Sequence, residues 1–154
     1  MLNSDGAVDL RKPVLPFLKW AGGKRWLVNG FANLLRQPDG RYIEPFAGSA
    51  AVFFALAPQR ALLSDTNAEL INSYQAIADD WESVEKLLKC HHRKHSPEHY
   101  YAVRASRPRT SITKAARFIY LNRTCWNGLY RVNLRGNFNV PKGTKTSVLL
   151  DSDD

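Results

Sequence analysis

The chain has 154 residues, 44% of them hydrophobic, and a formal net charge of +8 at pH 7. This length suffices for one domain with its own core, and the charge favours a polyanionic partner, nucleic acid before membrane. Two cysteines exclude a disulfide framework and indicate a reducing compartment, and the lack of a long apolar run or a signal peptide predicts a cytoplasmic protein without a membrane segment.

The N-terminal part combines a predicted flexible tail, residues 1–13, with a glycine-rich turn. The turn lies between two lysines and an indole, in the run Phe17-Leu18-Lys19-Trp20-Ala21-Gly22-Gly23-Lys24. This pattern is typical of a ligand loop, although a packed Trp20 beside a plain turn would give the same residues. A helix with an apolar face from Trp26 to Leu35 is predicted next.

The stretch from Arg41 to Phe54 predicts a strand, a tight turn and a helix. Gly48 permits the sharp bend and the close approach of a ligand, toward which the following helix points free N–H groups. A second short strand ends at Asp65, and a carboxylate in this place binds ribose hydroxyls in cofactor folds. A purely structural connection would also use a glycine here, so the ligand site and the plain turn both remain open.

Two consecutive helices are predicted after Asp65. Asn67 is suited to cap the first, which has an apolar face from Leu70 to Ile77, and a second apolar face runs from Trp81 to Leu88. Two helices without a strand between them break the alternation of an α/β fold. We therefore predict that an inserted helical unit begins near residue 67.

Three histidines, His91, His95 and His99, repeat at the helical spacing of some metal sites. Pro97 interrupts that helix, the neighbouring Lys94 repels a cation, and no carboxylate-rich surroundings are visible. We therefore predict a solvated basic face and no metal site.

A predicted β-hairpin follows a further helix, within residues 124–141 and with its turn at Gly136. On such a ribbon Trp126 can wedge or stack, Asn127 can read a base edge, and Arg131 can reach guanine. An ordinary exposed hairpin whose aromatic residues cover a core would show the same pattern. The residues alone therefore leave DNA binding and plain packing equally open.

These stretches, in this order, resemble the DNA adenine methyltransferase (Dam) family, which transfers a methyl group from S-adenosylmethionine to adenine N6. The similarity extends from about Phe17 to Gly143. Three motifs resemble the family's cofactor site: the run Phe17 to Lys24 is similar to its N-terminal cofactor loop, Glu44-Pro45-Phe46-Ala47-Gly48-Ser49 to its Phe-x-Gly-x-Gly loop, and Asp65-Thr66-Asn67 to its ribose-binding acid. Three further runs resemble its target-recognition hairpin: Leu121-Asn122-Arg123, Asn127-Gly128-Leu129 and Asn133 to Pro141.

The resemblance implies an α/β fold in which an incomplete Rossmann-like methyltransferase core carries an inserted helical and β-hairpin target-recognition domain. Residues 14–66 would form the N-terminal part of the core, residues 67–144 the recognition region, and residues 145–154 the start of a return to the core. The run Asp151-Ser152-Asp153-Asp154 is a helix N-cap with no helix after it. We therefore expect a truncated C-terminus.

The resemblance also implies site residues. S-adenosylmethionine is expected at Trp20, Lys24, Phe46, Gly48 and Asp65, with Lys24 at its carboxylate end and Asp65 at its ribose. Double-stranded DNA is expected at Lys19, Trp126, Asn127, Leu129, Arg131 and Pro141, where an aromatic wedge helps adenine leave the stack. Ala50 replaces the second glycine of the family's loop, a change that such loops tolerate and that we expect to narrow the cofactor pocket.

The family's catalytic motif, Asp-Pro-Pro-Tyr or a close variant, is absent from this sequence. Adenine N6 is a poor nucleophile until hydrogen bonds to that carboxylate and carbonyl localise its lone pair. No acidic residue here can be assigned that role, so we assign no catalytic residue. We expect the cofactor- and DNA-binding half of a site-specific adenine-N6 methyltransferase, inactive alone, either completed by a second polypeptide or part of a longer chain. The alternative is a non-catalytic DNA-binding remnant that occupies sites without methylating them.

Overall fold

A computed structural model describes residues 14–28 and 40–146. Strands β1 (Tyr42–Glu44) and β2 (Ala61–Leu63) pair in parallel, with Ile43 opposite Leu62, and helix α1 (Ala51–Leu56) connects them. This confirms the predicted strand, turn, helix and second strand. Residues 25–28 are helical. The rest of the helix predicted up to Leu35, the predicted tail 1–13 and the C-terminal residues 147–154 lie outside the described residues.

In the described residues after the sheet, three α-helices follow: α2 (Ala68–Arg93), α3 (Pro97–Ala105) and α4 (Ser111–Thr124). The side chain of Asn67 caps α2, as predicted, by accepting a hydrogen bond from Leu70 N–H (3.1 Å). The helix is kinked at Asp80, whose φ of −157° is not helical and whose carboxylate accepts a hydrogen bond from Ser83 N–H (3.0 Å). The two predicted helices are therefore two segments of one kinked element, with Asp80 capping the second.

Helix α4 is the centre of the packing. Every residue from Ala115 to Thr124 is buried, and α2 packs along this helix. Leu18, from the N-terminal loop, is only 1% exposed and joins the same apolar core. The buried guanidinium of Arg117 donates to the carbonyl oxygens of Val103 (3.1 Å) and Arg104 (2.8 Å), so that its burial is compensated by hydrogen bonds.

The hairpin predicted after α4 is irregular. A 3₁₀ helix, Trp126–Gly128, comes first, and an antiparallel arch then has isolated bridges at Val132–Phe138 and, at its base, Cys125–Lys142. The turn falls at Gly136, as predicted, with φ +72°. Asn133 Oδ1 accepts hydrogen bonds from the backbone N–H groups of Arg135 and Asn137 (both 3.0 Å), so this side chain closes the turn and takes the N–H of Asn137 from backbone pairing.

The histidine cluster differs from the predicted solvated face, because its three rings pack around Tyr120. His91 Nδ1 lies 3.0 Å from His99 Nε2, and His95 Nδ1 lies 2.7 Å from Tyr120 Oη. Burial, and then the neighbouring His99 and Lys94, lower the pKa of His91 to about 4. Within the described residues, no group of three or more His, Cys, Asp or Glu side chains could hold a metal ion. None of the described helices is long and apolar enough to span a membrane.

Candidate functional site

A pocket of about 270 Å³ lies beyond the carboxyl ends of the two parallel strands. Residues 20–24, residues 46–49 and Asp65 line it, and we call it the loop pocket. All five residues predicted from the resemblance to contact a cofactor are among them: Trp20, Lys24, Phe46, Gly48 and Asp65. The structure therefore brings together side chains that come from three separate stretches of the chain. Ligands of open α/β sheets bind at this same edge.

Asp65 fixes the loop that follows β1. Its Oδ2 accepts a hydrogen bond from Gly48 N–H and its Oδ1 accepts one from Asn67 N–H, both at 3.0 Å. Tyr74 Oη donates to the carbonyl oxygen of Gly48 at 2.7 Å, which holds the loop from its other side. A carboxylate can accept about four hydrogen bonds. Asp65 therefore retains acceptor capacity toward the pocket.

Lys24 joins the N-terminal loop to the segment after β1. Its ammonium donates to Glu44 Oε1 (3.2 Å) and to the carbonyl oxygen of Phe46. Glu44 is only 5% exposed, and its other oxygen accepts a hydrogen bond from Tyr42 Oη (2.9 Å). An ammonium carries three N–H donors, so two anchor the loop and the third can serve a ligand.

Ala50 affects the backbone and does not line the loop pocket. It has φ +52° and ψ +36°, a left-handed conformation, and its N–H donates to the carbonyl oxygen of Ala47 (2.7 Å). The methyl group is fully buried. The alanine is thus buried at a cost in backbone strain, and the expected narrowing of the pocket stays a prediction.

The residues predicted to contact DNA come from two stretches of the chain, which meet where the Lys19 side chain lies against Gly128. We call residues 126–141 the recognition segment. The exposed members of the predicted set are all in it: Trp126, Asn127, Arg131 and Pro141. Leu129 is half-buried against the core, and Lys19, on the N-terminal loop, is half-buried as well. Arg131 Nε donates to Asn139 Oδ1 (2.8 Å), which holds this side chain against the opposite arm of the arch.

Asn122 joins the N-terminal loop to the recognition segment. Its Oδ1 accepts a hydrogen bond from Lys19 N–H (2.9 Å), and its Nδ2 donates to the carbonyl oxygens of Lys19 (2.7 Å) and Gly128 (3.1 Å). The side chain is 2% exposed, so every polar atom depends on these contacts. Sequence reasoning found the run Leu121-Asn122-Arg123 but assigned it no separate role, since spacing does not show that an amide is buried.

Trp20 touches both the loop pocket and the recognition segment. Its ring stacks on Tyr130, with centroids 5.5 Å apart and planes at 27°. Tyr130 Oη donates to Glu69 Oε2 (2.9 Å), and Glu69 Oε1 pairs with Arg117 (3.4 Å). Burial, and then the bond to Glu69, raise the pKa of Tyr130 to about 12. The contacts of this network join residues 48 to 110 positions apart, and it was missed because no local pattern signals it.

Curated relatives of this chain are DNA methyltransferases. Type II methyltransferase M1.LlaDCHI of Lactococcus lactis subsp. cremoris is 42% identical over 145 residues, which cover 90% of this chain and 51% of that protein. The DNA adenine methylase of Escherichia coli strain K12 is 38% identical over 133 residues, covering 82% of this chain and 47% of that protein. The chain thus spans about half the length of these relatives.

A relative of greater length is the DNA N-6-adenine-methyltransferase of Escherichia phage P1, which is 40% identical over 144 residues, 86% of this chain and 18% of that protein. The family model described as "D12 class N6 adenine-specific DNA methyltransferase" matches residues 20–149. This range contains the loop pocket and the whole recognition segment. The resemblance found from the motifs is therefore confirmed, and the chain belongs to the D12 class N6 adenine-specific DNA methyltransferase family.

Proposed function

We propose that this chain is the cofactor- and DNA-binding part of a site-specific DNA methyltransferase that modifies adenine N6 with S-adenosylmethionine. The observation that carries the proposal is the convergence of all five predicted cofactor residues on the loop pocket. In this proposal residues 14–66 belong to a Rossmann-like core, residues 67–144 form an inserted target-recognition domain, and residues 145–154 begin the return to the core.

The loop pocket fits the chemistry of this cofactor. The free lone pairs of Asp65 suit the vicinal hydroxyls of a ribose, and the third N–H of Lys24 suits a carboxylate. Trp20 and the 72% exposed ring of Phe46 offer aromatic surface to the remainder of the molecule. The volume, about 270 Å³, is close to the lower end of small-molecule sites, about 300 Å³, so a neighbouring part of the enzyme would complete the pocket.

The recognition segment supplies the contacts to DNA. Trp126 is 51% exposed beside the 3₁₀ turn, where its indole can stack on a base or fill the space that a flipped adenine leaves. Arg131 uses Nε for Asn139, and a guanine edge is bound by the terminal nitrogens of an arginine. The formal charge of +8 supports contacts with the phosphate backbone.

S-adenosylmethionine supplies an electrophilic methyl group when it is bound. The described residues hold and orient the two ligands, and the groups that activate adenine N6 lie outside these 154 residues, which contain no Asp-Pro-Pro-Tyr run. A further segment or a second polypeptide that carries this motif would complete the enzyme. The same absence supports a second candidate function, a DNA-binding remnant that occupies sites without methylating them.

Tritiated methyl transfer to an adenine-containing duplex separates these functions. We expect the purified chain to bind S-adenosylmethionine and duplex DNA, and to transfer the methyl group only when a polypeptide with the Asp-Pro-Pro-Tyr motif is added. Methyl transfer by the chain alone would contradict the proposal that the groups activating adenine N6 lie outside these residues. DNA binding without cofactor binding would favour the remnant.

Asp65→Asn tests the cofactor residues directly. An amide has one acceptor oxygen where the carboxylate has two, so it cannot accept the hydrogen bonds from Gly48 N–H and Asn67 N–H and also those of a diol. The affinity for S-adenosylmethionine should therefore fall about tenfold or more. Asp79→Asn is the matched control, since Asp79 is exposed on α2 and outside the loop pocket. Isothermal titration calorimetry measures both variants, and equal affinities would contradict the assignment of Asp65.

A further inference from the structure

Trp20 presents one indole to two parts of the proposed enzyme. On one side its ring lines the loop pocket, where a Cβ built on Gly48 would approach Trp20 Cδ1 to 2.9 Å. On the other side the ring stacks on Tyr130 at 5.5 Å and also contacts Phe118 at 6.2 Å. A shift of this ring would therefore change both the shape of the pocket and the packing of the recognition segment.

Tyr130 is itself held firmly. Its hydroxyl donates to Glu69, which Arg117 binds in turn, and its ring packs against Phe118 (5.5 Å) and Phe138 (5.9 Å). In sequence it directly precedes Arg131, which the proposed function assigns to DNA. Its backbone therefore cannot shift without moving this neighbour.

Tyr130 is not among the residues that line the loop pocket. Any influence of this tyrosine on a ligand in the pocket must therefore pass through a residue that it contacts. Trp20 is the pocket residue on which it stacks. An effect of a Tyr130 substitution on ligand affinity would therefore reflect the position of Trp20, since Tyr130 does not contact the ligand itself.

We propose that Tyr130 is a positioning residue that couples the loop pocket to the recognition segment through its stack on Trp20. A ligand that fixes Trp20 favours one placement of residues 129–131, and DNA held by that segment strengthens ligand binding in the pocket by the same factor. The inference rests on the proposed function, since it requires that both ligands bind.

The test measures the affinity of the purified chain for S-adenosylhomocysteine, a non-reactive probe, with and without a short adenine-containing duplex. We expect the duplex to tighten binding by about fivefold or more. Tyr130→Leu should abolish this coupling, and Tyr130→Phe should retain it because the stacked ring remains although the bond to Glu69 is lost. Tyr101→Leu, on the outer face of α3, is the matched control and should leave the coupling unchanged.

A second measurement does not depend on the folding of Tyr130→Leu. In a chain labelled with 5-fluorotryptophan the four tryptophans give separate ¹⁹F NMR signals, and replacing Trp26, Trp81 and Trp126 one at a time by phenylalanine, without DNA, assigns the signal of Trp20. The measurement itself uses the labelled chain with all four tryptophans in place. Binding of the duplex, followed separately by the anisotropy of a labelled strand, should shift the ¹⁹F signal of Trp20.

The outcomes distinguish this inference from the function on which it rests. A chain that binds neither S-adenosylhomocysteine nor duplex overturns the proposed function and the inference together. A chain that binds both, but without coupling or with coupling that survives Tyr130→Leu, overturns the inference alone. Duplex binding that leaves the ¹⁹F signal of Trp20 unchanged also overturns it. Loss of coupling in Tyr130→Leu, with rescue by Tyr130→Phe, supports it.

Discussion

Gly48→Ala tests how tightly the loop pocket is built. A Cβ at this position would lie 2.9 Å from Trp20 Cδ1, closer than real Cβ contacts, and Gly48 has φ +51°. The left-handed conformation costs a residue with a side chain about 1–2 kcal/mol, and overpacking a filled site costs about 1–3 kcal/mol more. Because Trp20 is already stacked on Tyr130, it cannot move away freely. We expect Gly48→Ala to lower the free energy of unfolding by about 2–5 kcal/mol.

Gly136→Ala is the matched control for backbone strain. Gly136 also has a positive φ, +72°, but nothing lies within 4 Å of its Cβ position, so the substitution should cost only the conformational part, about 1–2 kcal/mol. Urea denaturation followed by circular dichroism measures both variants. In a Trp20→Ala background the cost of Gly48→Ala should fall to that of the control. Equal costs for the two glycine variants in the parent background would refute the packing of Trp20 against this loop.

Three further predictions concern the helical region and the recognition segment. Asn122→Ala should lower the free energy of unfolding by about 3 kcal/mol, because it removes three hydrogen bonds to the backbone of Lys19 and Gly128 from a side chain that is 2% exposed; urea denaturation measures this. Burial lowers the pKa of His91 to about 4 in the folded chain, so as the pH falls the imidazole is protonated in the unfolded chain before it is protonated in the folded one. Stability should therefore fall as the pH drops from about 6.5 toward 4, and His91→Gln should weaken that dependence in denaturation midpoints. Arg131→Ala should reduce discrimination between DNA sequences more than overall affinity, as competition binding would show.

Each of these three predictions has a control within the chain. Asn72→Ala removes an amide bonded to Ser111 at the surface and should cost less than Asn122→Ala. His92→Gln changes an exposed neighbour of His91 and should leave the pH dependence intact. Arg109→Ala removes the same charge as Arg131→Ala outside the recognition segment and should weaken binding to all sequences alike. A variant indistinguishable from its control contradicts the contact on which the prediction rests.

Local features of the fold were predictable from the sequence. The turn at Gly48, the short strand predicted to end at Asp65 and the cap at Asn67 each depend on a few neighbouring residues. The structure confirms all three, except that the strand ends two residues earlier, at Leu63. The kink at Asp80 lies between the two predicted apolar faces, where their period is interrupted. Such elements follow from backbone conformation and capping, which a short window of sequence contains.

Features made by distant residues were not predictable in the same way. The histidines follow a helical spacing, yet their packing around Tyr120 depends on a residue of another helix. The hairpin has the right turn but lacks regular strands, and one asparagine side chain, Asn133, closes that turn and takes the N–H of Asn137 from backbone pairing. The site residues came from motif resemblance, and only the structure shows that those of the loop pocket converge.

The N-terminal loop explains why the pocket and the helical region form one packed body. Leu18 is buried in the helical core, Lys19 shares two backbone hydrogen bonds with Asn122 of α4, and Trp20 stacks on Tyr130. Apolar burial, hydrogen bonding and ring stacking thus act on three consecutive residues. Because the loop pocket is built from the residues that follow at once, releasing the loop from α4 would also open the pocket. The boundary near residue 67 stays a prediction, and the contacts of this loop join the residues on its two sides.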